Sequence, residues 1–193
     1  QALRASGIAA PLYLTQNDGT VMLAEVAEAY PVYSFASGPT NSMRGAAFLS
    51  KRDEALVVDV GGTTTDIGSL RHGFPREANN VVEIGGVRTL FRMPDLLSMG
   101  LGGGTKVLAP GLGTAPVLTI GPASVGYRLT EQALVFGGDV LTVTDVAVAA
   151  GLIDLGDRAR VASLQAALVK EALARIRTMI EEGVDRMKTD AGE

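Results

Sequence analysis

Residues 59–68 read Asp-Val-Gly-Gly-Thr-Thr-Thr-Asp-Ile-Gly, and no other stretch constrains the fold as tightly. The apolar run Ala55-Leu56-Val57-Val58 leads into it with the character of a buried strand, and residues 67–70 can form the returning strand. The segment therefore predicts a strand, a tight glycine turn and a second strand. Such a turn can cradle phosphate. Gly61 and Gly62 have no Cβ, so the backbone can approach an anion and take φ > 0. Thr63, Thr64 and Thr65 offer hydroxyl donors. Asp59 and Asp66 bracket the mouth, where two carboxylates could hold Mg²⁺ through water. A glycine pair between strands is also the ordinary chemistry of a type I′ hairpin. A plain hairpin has no need of three hydroxyls and two acids in one turn, and that combination favours the phosphate reading.

The chain has 193 residues, which suits one domain or one large lobe, and its 47% apolar content is ample for a core. A net charge of -4 argues against a general nucleic-acid or anionic-membrane surface. The absence of cysteine excludes disulfides, thiolate metal sites and cysteine nucleophiles, and fits a reducing, cytoplasmic location. With one histidine, a His-rich zinc site cannot come from this segment alone. Residues 107–127 carry no charge, but four glycines and three prolines break them into turns and short strands rather than a membrane helix. The first residue is Gln1 and the end, residues 188–193, is polar, so a segment of a longer polypeptide is expected.

Strands are predicted over residues 11–15, 32–35, 81–84, 96–99 and 117–120. Asn17-Asp18-Gly19-Thr20 is a turn, and a short helix is predicted within residues 21–29, ahead of Pro31. Ser37-Gly38-Pro39 opens a helix over residues 40–50, with Ser37 as its N-cap or as a hydroxyl donor to a ligand. Thr142-Val143-Thr144-Asp145 resembles a helix entry with Asp145 as the capping acid, and Gly151 ends that helix. A long amphipathic helix is predicted from Asp157, its stripe of Val161, Leu164, Leu168, Ala172, Ile176 and Ile180 facing the core and Gly183 weakening it late. Strands mixed with helices indicate an α/β or α+β lobe.

Gly100-Leu101-Gly102-Gly103-Gly104-Thr105-Lys106 is a second glycine loop. A P-loop would end Gly-Lys-Ser/Thr, and a dinucleotide fingerprint would lead into a helix, whereas Pro110 and Gly111 follow here. What remains is a loop whose backbone passes close to a ligand or to another backbone. Asp95, after Met93-Pro94, is either an ordinary turn residue or a third acid facing the same cleft as Asp59 and Asp66. His72 precedes Gly73 in an apparent turn and is read as a turn residue.

Taken together, these motifs resemble the hydantoinase/oxoprolinase family within the actin–Hsp70–sugar-kinase superfamily. The resemblance rests on Ser37-Gly38-Pro39 with Gly45-Ala46-Ala47, on Asp59 to Asp66, and on Ser98-Met99-Gly100-Leu101-Gly102-Gly103-Gly104-Thr105. Gly121-Pro122-Ala123-Ser124 with Thr142 to Asp145 adds a weaker fourth stretch. The match runs over residues 5–155 in the order of the family's hydantoinase A region.

The resemblance implies an α/β, ribonuclease H-like (actin-like ATPase) lobe with a mixed sheet and flanking helices. Residues 1–193 would be the central part of a larger, two-lobed protein, without the upstream first phosphate loop and the downstream adenine-binding turn. It implies ATP and Mg²⁺ or another divalent metal as cofactors, with Asp59 and Asp66 catalytic and organising the metal, and Gly61, Gly62, Thr63 and Thr64 around the phosphates; from their place in the chain, Asp95 joins the metal group and Gly102, Gly103 and Gly104 the nucleotide contacts. The implied reaction is activation of a cyclic amide, or of a ketone oxygen, by phosphorylation, for ring-opening hydrolysis or carboxylation. The implied partners are a small cyclic amide and a B-type subunit or domain, and self-association into a homo-oligomer is compatible with the resemblance. A small-molecule kinase of the same superfamily and a nucleotide-binding scaffold are the alternatives. One departure stands out: where many relatives carry Asp-x-His, this chain has Asp95-Leu96-Leu97.

Overall fold

The computed structural model describes residues 2–78, 82–84, 87–89, 93–109 and 117–188. The expectations for Gln1, Val81, Pro110, Gly111 and residues 189–193 lie outside them.

A single helical turn, α1 (Ala2–Ala5), precedes the hairpin of β1 (Tyr13–Thr15) and β2 (Val21–Leu23), in which Tyr13 stands opposite Leu23 and Thr15 opposite Val21. Its tip is the expected turn. Gly19 sits at φ 86°, and Asp18 Oδ1 accepts from the Thr20 N–H at 2.8 Å and its hydroxyl at 2.7 Å. The helix expected within residues 21–29 is shorter, α2 (Ala24–Ala29), because Val21, Met22 and Leu23 pair with β1 and only Met22 of the three turns inward. Residues 32–35 were expected as a strand. Pro31–Ser34 is instead a 3₁₀ turn, since the fixed φ of Pro31 at its first position suits a helical start and outweighs the β-preference of Val32 and Tyr33. In α3 (Ser37–Ser50) the N-cap is Ala36, at φ 54°, so Ser37 lies inside the first turn and is not the cap.

Next along the chain come β3 (Ala55–Val60), β4 (Thr65–Arg71), β5 (Phe74–Pro75), β6 (Val82–Ile84), β7 (Val87–Thr89), β8 (Leu96–Met99), β9 (Thr105–Leu108) and β10 (Thr119–Ser124). They are followed by α4 (Leu129–Gln132), α5 (Val143–Ala149) and α6 (Ala166–Met187). β3, β4 and β5 are neighbours in that order in a four-stranded sheet, and β8 pairs with β4. β6 with β7, and β9 with β10, form separate antiparallel pairs.

Two compact units emerge: residues 1–57 with 68–96, and residues 58–67 with 97–193. In the first, Met43, Ala47 and Leu70 are buried among Ala55, Val57 and Leu96. At Gly68 a Cβ would lie 2.7 Å from both Leu96 Cδ2 and Met43 Sδ, side-chain atoms that would have to shift to admit it. In the second, Val107, Leu118, Leu141, Val146 and Ala172 form one cluster, and Ala133, Val135, Val148 and Val161 another. α5 serves both, with Val146 and Val148 fully buried.

The long helix starts later than its periodicity suggested. Arg158–Val161 is a 3₁₀ turn whose N-cap Asp157 accepts from the Ala159 N–H at 3.0 Å, and α6 begins only at Ala166. Val161 and Leu164 therefore belong to the core without belonging to that helix. α6 runs on through Gly183 to Met187. Gly183 is buried, and a Cβ there would collide with Met99 Cε and with Ile67 Cδ1. Among the described residues no helix is long and apolar enough to cross a membrane.

Candidate functional site

β3 and β4 are joined by only Gly61, Gly62, Thr63 and Thr64, a connection that permits only antiparallel pairing. The Gly61 N–H donates to the Thr64 carbonyl at 2.8 Å and closes the turn. Continuing that register down the ladder puts Asp59 opposite Asp66, with side chains on one face, about 5 Å apart at Cβ. Both carboxylates are half-buried, and neither has a hydrogen bond or ion pair among the described residues. Two like charges at facing positions repel, so the pair is a cost to the isolated fold.

The backbone of the turn departs from one expectation. Neither Gly61 nor Gly62 has φ in the left-handed region, and a Cβ on Gly62 would meet nothing within 4 Å. Glycine is needed across from them instead. A Cβ on Gly102 would lie 2.7 Å from Gly61 O, Gly62 C and Thr63 N, all backbone. The second glycine loop is a close-approach loop, and what it approaches is the first turn.

The N–H groups of Gly102, Gly103 and Gly104 are all spent inside the protein. Gly103 donates to Gly61 O at 3.0 Å, Gly104 to Gly62 O at 2.7 Å, and Gly102 to Thr105 Oγ1 at 2.7 Å. The direct ligand contact expected of these three glycines is thus replaced, for their donors, by contact with the turn. The consequence for the turn follows from peptide planarity. In a trans peptide the C=O of one residue and the N–H of the next point in opposite directions. With the Gly61 and Gly62 carbonyls held by the loop, the N–H groups of Gly62 and Thr63 are aimed away from it. Neither they nor the Thr64 N–H has an internal acceptor among the described residues, and the Thr63 and Thr64 hydroxyls are also unengaged. Residues 61–64 are exposed. Successive outward N–H groups with adjacent hydroxyls make an anion-binding concavity.

Residues singled out for other reasons, or not at all, hold the loop in turn. Thr65 donates its hydroxyl to Leu101 O at 2.6 Å. The Gly103 carbonyl receives both the N–H and the hydroxyl of Thr144, each at 2.9 Å. Thr144 lies in the first turn of α5, which is capped as expected. Asp145 Oδ2 accepts from the Thr142 N–H and hydroxyl, each at 2.7 Å, and Oδ1 accepts from the Val135 N–H at 2.8 Å. The Thr-x-Thr-Asp spacing signalled the cap. Nothing in it signalled a bond to a glycine 41 positions earlier.

Asp95 is engaged elsewhere. It belongs to the first unit, and its carboxylate, expected at a metal, accepts from Arg76 Nη2 at 2.9 Å and Nε at 3.1 Å. Among the described residues no group of three or more acidic or histidine side chains could hold a metal ion. His72 is in the turn read from the sequence, at φ 52°, its ring exposed. Leu97, which the resemblance singled out as a departure from Asp-x-His, is half-buried, with Cδ2 3.5 Å from where a Cβ on Gly183 would stand, so it packs toward α6.

The fold has counterparts among solved structures. A nucleotide-free acetone carboxylase, described as acting in ATP-dependent acetone carboxylation, superposes with a TM-score of 0.64 at 18% identity, over 90% of this chain and 25% of its own. An ATP-dependent caprolactamase from Pseudomonas jessenii superposes with a TM-score of 0.59 at 23% identity, over 83% of this chain and 26% of its own. The chain thus spans about a quarter of the length of either, as a mixed α/β match. Among curated proteins none matches it. The sequence profile of the hydantoinase/oxoprolinase family matches residues 1–190, nearly the whole length, and the chain belongs to that family.

Proposed function

We propose that the β3–β4 turn holds the phosphate tail of ATP with Mg²⁺, and that the chain is part of an ATP-dependent enzyme that activates the oxygen of a cyclic amide for ring opening. The observation that carries this reading is the fixed direction of the Gly62 and Thr63 N–H groups, set by the bonds from Gly103 and Gly104. The surrounding fold would be the ribonuclease H-like lobe of actin-type ATPases. The ATP dependence in the descriptions of the acetone carboxylase and the caprolactamase supports a nucleotide, and the caprolactamase supports a lactam-like substrate.

The donor set fits the ligand. N–H and hydroxyl donors suit phosphate oxygens, and the unpartnered pair Asp59 and Asp66 suits a hydrated divalent cation, whose charge removes their mutual repulsion. When bound, the nucleotide supplies the phosphoryl group that converts a poor amide leaving oxygen into a good one. The chain's own part is positional. Gly62, Thr63 and Thr64 orient the phosphates, Asp59 and Asp66 hold the metal's water shell, and Gly102, Gly103 and Gly104 keep the turn from relaxing, so its dipoles need no reorganisation.

The test is binding of a non-hydrolysable ATP analogue with magnesium, measured calorimetrically on the wild type and on Asp59→Asn and Asp66→Asn. Affinity is expected to fall by about tenfold or more in each variant, the loss of a charged contact, while thermal stability stays level or rises as the repulsion disappears. Unchanged affinity in both variants defeats the proposal. For the intact enzyme, release of inorganic phosphate with a lactam or hydantoin supports amide activation, whereas a stable phosphoester product would make the protein a kinase.

A further inference from the structure

A second concave site lies in the second unit, away from the glycine loops. The end of α5, the 3₁₀ turn Arg158–Val161 and the first turns of α6 enclose a cleft of about 580 Å³, within the usual range for small-molecule sites. Its wall is aliphatic, with Ala150, Val161, Val169 and Leu173 among the lining residues. Only two charged side chains line it, Arg158 and Lys170, and both are cations.

The local pairing pattern distinguishes those two. Residues 157–175 contain four basic side chains. Arg160 pairs with Asp157 at 3.4 Å, and Arg175 with Glu171 at 3.4 Å. Arg158 and Lys170 make no ion pair or side-chain hydrogen bond among the described residues. The acids of this stretch thus neutralise the cations that do not line the cleft and leave unneutralised the two that do. An apolar wall with two unpaired cations is complementary to a molecule with a hydrocarbon body and one anionic end.

We propose that this cleft binds a small amphipathic carboxylate, its apolar body against the partly exposed Val169 and Leu173 and its carboxylate between Arg158 and Lys170. A guanidinium and an ammonium can both donate to one carboxylate, and charge-assisted bonds of this kind are about twice as strong as neutral ones.

Octanoate, kept below its micelle concentration, is the probe, with 1-octanol as its neutral counterpart. Binding is followed through the methyl NMR signals of Val169 and Leu173. Saturable shifts at these methyls are expected with octanoate, with affinity lower by about tenfold or more for 1-octanol and for the double variant Arg158→Gln/Lys170→Gln. Both side chains are exposed and unpaired, so the double variant keeps the fold. Three results overturn the proposal: no saturable shift at these methyls, equal binding of octanoate and 1-octanol, or octanoate binding that the double variant leaves unchanged.

Discussion

Replacing Gly102 by alanine is expected to abolish tight binding of Mg²⁺ and a non-hydrolysable ATP analogue while leaving a folded protein. The added methyl would sit 2.7 Å from Gly61 O, Gly62 C and Thr63 N, and none of these is the free end of a flexible side chain. Relief requires the turn and the loop to separate, which breaks the bonds from Gly103 to Gly61 O and from Gly104 to Gly62 O. The stability loss should be that of overpacking, about 1–3 kcal/mol. The affinity loss should be larger, about 100-fold, because freed carbonyls let the Gly62 and Thr63 N–H groups swing off the phosphate. Gly62→Ala is the control. Its Cβ meets no protein atom within 4 Å and its φ suits alanine, so stability should change by less than about 0.5 kcal/mol. Scanning calorimetry and isothermal titration on the two variants separate the effects. A Gly102→Ala protein that melts early yet binds the analogue as well as the wild type removes the loop from any role in orienting the turn.

The same contrast marks what was legible in the chain. The hairpin at residues 55–70 could be read because an apolar run leads into a four-residue glycine turn and Ile67 to Leu70 can return, all local information. The glycines of the second loop could be read as a sign of close approach. Their partner could not, since the contact joins Gly102 to residues about 40 positions away and glycine has no side chain to reveal what it meets. Asp59 and Asp66 were recognisable as a pair from spacing, whereas Asp95 was grouped with them by proximity in sequence to the loop, and only the structure supplies Arg76 as its partner. The errors in secondary structure have a common cause. Residues 32–35 and 158–161 have strand or helix composition, but Pro31 and Asp157 start short 3₁₀ turns that periodicity does not detect. Gly183 misled in the opposite direction. Its propensity cost was visible, while the close approach of the Met99 and Ile67 side chains to it was not.

Asp145→Ala should produce the largest stability loss of any single change discussed. The side chain is fully buried and accepts hydrogen bonds from the Val135 N–H, the Thr142 N–H and the Thr142 hydroxyl. Alanine leaves two buried amides without an acceptor, at about 1–3 kcal/mol each, and strips the Thr142 hydroxyl of its acceptor, although Thr142 still caps the Asp145 N–H. A total near 4 kcal/mol would lower the melting temperature of a chain this size by about 10 °C. Asp145→Asn keeps the shape but presents an amide donor where the site has only donors, so it should recover less than half of the loss. The damage should also travel in a defined direction. α5 carries Thr144, whose N–H and hydroxyl hold the Gly103 carbonyl, and the Gly103 and Gly104 N–H groups hold the turn. Loosening the first turn of α5 should therefore speed amide hydrogen exchange at Gly103 and Gly104, while amides of the first unit, such as those of α3, keep their protection in conditions where the protein stays folded. If exchange rises uniformly across both units, Asp145 is a general stabiliser and the path from the cap to the glycine loop carries no specific load. If it rises at the loop first, the rigidity of the β3–β4 turn traces back to a buried carboxylate more than 80 positions away in sequence.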